Sequence, residues 1–402
     1  MTASLKGIRV LEMSQIMAGP TCGLLLADLG AEVIKIEKTP TGDDTRNFLP
    51  PDINGEAAAF MMMNRNKKGI ALNLKDKDGI KIFKEMVKNS DVVLENFRKG
   101  TLEKLGIGYD VMSEINPKII LCEISGYGRT GPYSDKGGFD LVAQGMSGLM
   151  SITGESRDKP PMKVGAPITD ITAGLLASSG ILAALVHREK TGEGQKVDTS
   201  LFEAGIVHTY WQSAIAGATG QSPGPLGSAH PLTAPYQAFK TKDKWITVGA
   251  SNQNTWLMLL KAINRQDLQE DEKFSSNLNR KENINELVDI LNSELIKKTS
   301  DEWLKIFDNN GLPCGPINSI TEMFEDPQTI HREMLIEVDN KKAGKSKAIG
   351  MPIKFSKSKT EKSKGAPNLG EHTREVMFNF GYKHEEIEAV SYTHLRAHET
   401  IL

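Results

Sequence analysis

Residues 7–37, GIRVLEMSQIMAGPTCGLLLADLGAEVIKIE, decide the fold. GIRVLEM at 7–13 reads as a buried strand. Pro20 suits the first turn of a helix, Thr21 to Leu29 carries helical apolar spacing, and Gly30 ends it. Val33 to Glu37 reads as a second strand, and the right-handed crossover of such a βαβ unit makes the two strands parallel. The pattern repeats, with helices expected over Asp78–Lys88 and Tyr109–Ile115 and strands over Asp91–Phe97 and Lys118–Ser125. The expected fold is therefore α/β, a doubly wound, Rossmann-like parallel sheet. The loop SQIMAGP between the first strand and helix lacks the GxGxxG fingerprint through which a pyrophosphate approaches the backbone, so nicotinamide and flavin are not expected.

Ala173 to Lys190 reads as a long helix of small residues, and the Gly/Ser/Pro-rich stretch 217–227 reads as a linker. Beyond it, TAPYQAF and KWITVGA flank a turn at Lys242-Asp243, with helices at about 252–263, 282–297 and 300–309. GLPCGPIN marks a boundary, and KAGKSKAIGMPIKFS returns to strands. This gives a large domain over 1–216, a smaller α+β domain with its linker over 217–330, and a return segment over 331–389. From about Val390 the chain reads VSYTHLRAHETIL, similar to a translated sequencing adapter, so residues 390–402 are set aside and His394 and His398 are not read as ligands.

The 402 residues carry 49 basic and 51 acidic side chains, a net charge of −2 that gives no basic excess for nucleic acid or an anionic membrane. The longest apolar stretches, such as Leu175 to Val186, fall short of a bilayer span. Cys22, Cys122 and Cys314 are scattered and form no CxxC pair, which suits a reducing compartment and excludes a cysteine zinc site. A cytoplasmic location is expected.

No HExxH, GxSxG or P-loop occurs, so neither metal hydrolysis nor a serine triad has local support, and no metal is expected. Carboxylate chemistry remains. Asp170 sits in KVGAPITDITAGLLASSG, between a Gly-Ala-Pro turn and a helix. Read from these residues alone, Asp170 or Thr169 is better explained as a helix cap than as a catalytic group. An Asp does have one chemical advantage. Its ordinary pKa of about 3.9 leaves it ionised at neutral pH without a partner base.

Over residues 5–385 the chain resembles the class III CoA-transferases, also called the carnitine dehydratase and bile-acid-inducible protein family. The blocks, in family order, are VLEMSQIMAGPTCGLLLADLGAEVIKIE, NRNKKGIALNLK, LENFRKGTLEKLG, ISGYGRTGPYSDKGGFDLVAQGMSG, GAPITDITAG, HREKTGEGQKVDTSLFEA, APYQAFKTKD, GLPCGPIN and LGEHT. The resemblance implies that Asp170 is the nucleophile of a covalent CoA transfer, with an aspartyl anhydride and an aspartyl-CoA thioester as intermediates. It implies that CoA is held by Ile16, Met17, Ala18, Lys38, Leu72, Asn73, Leu74, Lys75, Asn96, Phe97, Arg98 and Lys104. CoA is then a substrate, with no tightly bound cofactor. It further implies an interlocked homodimer. Taken one at a time, the Lys and Arg residues are better read as solvated surface charges.

A sister branch racemises 2-methylacyl-CoA with a His-Asp pair, but here Gly138-Phe139-Asp140 stands in place of its GHD-like motif, so the required base is missing. Asp140 is read as structural or as edging the site. GSAH at 227–230 followed by PYQAFKTKD is similar to the succinyl-CoA:glutarate or hydroxymethylglutarate branch, and no glycine-rich loop of the oxalate and formate type is present. Gln15, Phe139, Asp140 and His230 are the substrate-side candidates, although a loop histidine explains His230 equally well. A catalytically idle CoA-binding homologue is the remaining alternative, and an intact GAPITDITAG block speaks against it.

Overall fold

A computed structural model describes residues 2–360 and 363–390, so the adapter-like tail lies, from residue 391 on, outside the described residues. The chain forms two compact units. One comprises the chain up to Gly148, Val164–His208 and the chain from Pro327; the other comprises Leu149–Lys163 and Thr209–Asp326. The sequence places its breaks at 217 and 331, whereas the structure divides at Thr209 and Pro327 and joins Leu149–Lys163 to the second unit. The Gly/Pro run behaves as packed structure rather than as a free linker, because Gly227 N–H donates to Gly154 O at 2.8 Å and Arg157 donates to Ser222 O.

The first unit holds a six-stranded sheet. Its strands are β1 (Arg9–Glu12), β2 (Glu32–Glu37), β3 (Lys68–Ala71), β4 (Val92–Glu95), β5 (Ile120–Ser125) and β6 (Lys196–Ser200). They lie in the order β3-β2-β1-β4-β5-β6, every pair parallel, which is the doubly wound arrangement expected. Successive residues face opposite layers. Val10, Val92 and Leu94 pack with Cys22 and Leu26 of α1 (Ala18–Asp28) and with Ala173, Ala177 and Ile181, whereas Leu11 and Val93 pack with Phe83 and Met86 of α2 (Lys77–Lys88) and Met112 of α3 (Tyr109–Ile115).

Beyond β5 come α4 (Asp140–Met146), α5 (Ile168–Thr191) and, after β6, α6 (Leu201–Val207). At 24 residues α5 is long and apolar enough to cross a bilayer, but one face is core, with Ala173, Ala177, Ile181 and Ala184 buried. It begins five residues before the Ala173 start expected from the sequence. The LGEHT block closes the outer edge of β3. His372 Nδ1 and Thr373 Oγ1 accept from the N–H groups of Gly69 and Ala71 at 3.2 and 3.3 Å, which blunts an otherwise open strand.

The second unit contains α7 (Tyr210–Thr219) and an antiparallel sheet of β7 (Tyr236–Lys240), β8 (Trp245–Gly249) and β9 (Cys314–Pro316). Helices α8 (Gln253–Ile263), α9 (Ile284–Leu295) and α10 (Ser300–Asn309) pack on it around Trp256, Leu291 and Phe307. GLPCGPIN, read as a boundary, instead supplies strand β9. Its backbone pairs with β8 despite the flanking prolines, a tolerance found at sheet edges.

Candidate active site

Strand order reverses between β1 and β4, and the crevice outside their carboxyl ends is where an open α/β sheet receives its ligand. The segments leaving those ends contain Gln15, Ile16, Met17 and Ala18 on one side and Asn96, Phe97 and Arg98 on the other, so the structure brings these candidates together. Two hydrogen bonds tie them: Gln15 N–H donates to Asn96 Oδ1 at 2.9 Å, and Asn96 Nδ2 donates to Gln15 O at 2.8 Å. Ile16 has φ 69°, a left-handed conformation that costs a β-branched residue roughly 1–2 kcal/mol. Its N–H donates to Asp43 Oδ1 at 3.2 Å. Burial opposes the Asp43 charge, but Lys35 at 2.9 Å and the Thr45 hydrogen bonds outweigh it and bring the carboxyl down to about 2. Gln15 Oε1 is buried with no hydrogen-bond partner among the described residues.

Phe97 is fixed by residues that the sequence patterns do not reveal. Its N–H donates to Glu95 Oε2 at 2.7 Å and its carbonyl accepts from Arg129 Nη1 at 3.0 Å, while Arg129 also pairs with Glu95 and Glu123. Burial pushes Glu95 up to about 7 despite Arg129. The other candidates follow neighbouring strands on the same side of the sheet: Lys38 after β2 and Leu72–Lys75 after β3. Lys38, Lys75, Arg98 and Lys104 are exposed, with Lys38 paired to Asp44. The Leu72 side chain lies in the core, so it offers a ligand only its backbone. Asn73 Oδ1 accepts from Lys75 N–H at 3.1 Å, and Leu74 packs against the α2 layer.

Asp170 lies in the first turn of α5, whose N-cap is Pro167, and no side chain of the turn caps it. The capping role belongs instead to Asp140 of α4. Its Oδ1 accepts from Thr169 N–H at 2.9 Å and Thr169 Oγ1–H at 2.7 Å, and its Oδ2 accepts from Gln144 Nε2 at 2.8 Å. Gln144 Oε1 in turn accepts from Val164 N–H at 2.9 Å. Asp170 itself is half-buried and has no hydrogen-bond partner among the described residues. Burial, and after it the negative charge of Asp140, push its carboxyl up to about 7. The expectation of an Asp fully ionised at neutral pH is thereby corrected: this carboxylate is desolvated and crowded by a like charge.

One turn further along α5, a Cβ on Gly174 would stand 2.5 Å from Ala18 O. Asp170 is thus carried one turn from the start of α1 and its loop. Phe139 is 76% exposed and precedes α4, so it contributes no ionisable group to this carboxylate pair. In the second unit, His230 stands edge-on to Trp211 and Tyr236 at 6.0 and 5.4 Å. Its Nδ1 accepts from Leu232 N–H and Thr233 N–H at 3.1 and 3.2 Å, which assigns the ring proton to Nε2.

Sheet and loops define a doubly wound α/β protein in which the Asp170 carboxyl stands one turn from the residue that packs on the start of α1. The sequence matches CoA-transferase family III over residues 5–373. It is 40% identical to succinyl-CoA:glutarate CoA-transferase of Mus musculus, over 93% of this chain and 85% of that protein. It is 36% identical to acetyl-CoA:oxalate CoA-transferase of Acetobacter aceti, over 91% of this chain and 92% of that protein. The crystal structure of a CAIB/BAIF family protein from Brucella suis superposes with a TM-score of 0.84 at 36% identity, covering 94% of this chain and all of that one. The chain belongs to CoA-transferase family III and is a CoA-transferase.

Proposed function

We propose that the protein moves CoA from succinyl-CoA to a dicarboxylic acid, with Asp170 as the covalent carrier. The observation that carries this reading is a carboxyl that has no hydrogen-bond partner among the described residues and is pushed up to about 7, in the first turn of a helix whose start is capped by a different residue, Asp140, through Thr169. A carboxylate raised in this way is a stronger nucleophile than a solvated one and is still substantially ionised near neutrality. Asp170 attacks the thioester carbonyl and expels CoA thiolate, forming a mixed anhydride. The thiolate attacks the aspartyl carbonyl, releasing the donor acid and leaving an aspartyl-CoA thioester. The acceptor carboxylate attacks that thioester and expels the thiolate, which then takes the acceptor acyl group and frees Asp170. Each step exchanges acyl groups of comparable activation, so excluding water is the main demand on the site.

In this reading CoA lies along the carboxyl ends of β1–β4. The backbone of Ile16–Ala18, Leu72–Lys75 and Asn96–Arg98 follows its pantetheine and adenine, and Lys38, Lys75, Arg98 and Lys104 face its phosphates. The side-chain amide of Gln15 is assigned to the acyl groups, its N–H donating to their oxygens. Succinyl-CoA:glutarate CoA-transferases among the relatives support the dicarboxylate. Racemisation is disfavoured by Phe139. The protein is assigned as a cytoplasmic homodimer. Support for the dimer comes from α7, which has no buried residue although it reads YWQSAIAGAT, and from Leu175 and Val186 exposed on α5. A panel of acyl-CoA donors against mono- and dicarboxylates tests the acid assignment. Succinyl-CoA with glutarate should exceed succinyl-CoA with butyrate by ~10-fold or more in kcat/KM. Equal use of glutarate and butyrate removes the dicarboxylate.

A further inference from the structure

Beneath the switch-point loop lies a cluster of four buried charges with no part in the chemistry above. Glu12 ends β1, Lys35 is in β2, Asp43 follows β2 and Lys67 precedes β3, and all four are almost wholly buried. Lys35 Nζ reaches Glu12 Oε1 at 3.2 Å and Asp43 Oδ2 at 2.9 Å, and Lys67 Nζ reaches Glu12 Oε2 at 2.8 Å. Two acids and two bases balance in charge. Such a cluster is a poor way to gain stability, because apolar side chains of similar volume avoid the desolvation of four ions.

What distinguishes this cluster is where its remaining hydrogen bonds go. Lys35 donates to Ser14 O at 2.9 Å, Asp43 accepts from Ile16 N–H at 3.2 Å, and Lys67 donates to Pro20 O at 2.9 Å. With Asn96 on both backbone polar groups of Gln15, the backbone of residues 14, 15, 16 and 20 is clamped. Helix α1 is shaped to admit the cluster: a Cβ on Gly23 would fall 1.8 Å from Glu12 Oε2, and one on Gly19 would fall 2.1 Å from Ser14 Cβ. The segment held this way contains Ile16, the left-handed β-branched residue, which would relax toward negative φ if released.

We infer that Asp43, backed by Lys35, Glu12 and Lys67, is the positioning residue that moulds residues 14–20 into the CoA-receiving conformation before CoA arrives. The inference rests on the placement of CoA at this loop proposed above. Without the clamp the loop spends only a fraction of its time in the receiving shape, and CoA affinity falls by that fraction.

The test uses the full chain, with CoA as the ligand. In Asp43→Ala, amide exchange over residues 15–18 should quicken by ~10-fold or more, and CoA should bind ~10-fold more weakly by calorimetry. Adding Ile16→Gly to Asp43→Ala removes the reason for the clamp, since glycine accepts φ 69° freely, and should recover ~3-fold of the lost affinity. A purely structural ion cluster would not respond to Ile16→Gly. If Asp43→Ala does not fold, the isosteric Asp43→Asn, which keeps an acceptor for Ile16 N–H but not the charge facing Lys35, should weaken CoA by ~3-fold. Exchange unchanged in a folded variant, faster exchange with unaltered CoA affinity, or no recovery with Ile16→Gly each overturns the positioning role. Failure of the wild-type protein to bind CoA overturns the proposed function and this role together; normal wild-type binding with a wild-type-like variant overturns the role alone.

Discussion

Two aspartates of the first unit occupy opposite extremes. Asp43 faces Lys35, accepts from Ile16 and Thr45, and is brought down to about 2; the Asp170 carboxyl has no hydrogen-bond partner among the described residues, faces Asp140, and is pushed up to about 7. Asp43 is buried and Asp170 half-buried, and burial opposes the charge of both, so burial alone does not separate them. The difference is in the partners: a carboxylate whose lone pairs are filled and whose charge is matched serves structure, and one left unmatched is available for chemistry. The two are also linked in space, since Asp43 holds the loop that precedes α1 and Gly174 presses α5 against the start of that helix.

Removing the unmatched carboxylate should have the largest effect. Asp170→Asn is expected to lower kcat/KM for CoA transfer by ~10³-fold or more, because no other described carboxylate occupies its place. Retention of more than a tenth of the activity would assign the nucleophile elsewhere. A smaller change comes from relieving the like charge. Asp140→Asn should move the acid limb of the kcat/KM profile to lower pH, because Asp170 then loses its proton more readily, with a drop in rate of about 10-fold or less as the α5 start loosens. An unmoved limb contradicts the coupling of Asp140 to Asp170.

The smallest effect is on stability. A carboxyl raised in the folded state binds its proton more tightly there than in the unfolded chain, so its contribution is lost as pH rises from about 4 through 7. Asp170→Asn removes that loss. Its Tm should exceed the wild-type value by about 2 °C or more at pH 8, with the gap closing near pH 4. A gap that widens toward acid pH would show the carboxylate to be stabilising.

Much of this architecture can be read from the sequence because it is local. The first strand, helix and strand fall within a few residues of their expected places, and the parallel order follows from the crossover rule. The site was less legible. The sequence reads a helix from Ala173 with Asp170 or Thr169 as its cap, whereas α5 starts at Ile168 and the cap comes from Asp140 on another helix. The NRNKKG block shows the same limit: nothing in its spacing marks Lys67 as buried, yet it lies on Glu12, Pro20 and Asn64. Long-range pairing of charges leaves no periodicity for a sequence to display.

The most direct test of the account is to incubate the protein with succinyl-CoA and hydroxylamine in the absence of acceptor, and to map the adduct by peptide mass spectrometry. Hydroxylamine attacks the aspartyl-CoA thioester, releasing CoA and leaving a hydroxamate. A hydroxamate confined to Asp170 is the predicted result; an unmodified Asp170 in protein that turns over under the same conditions would contradict it.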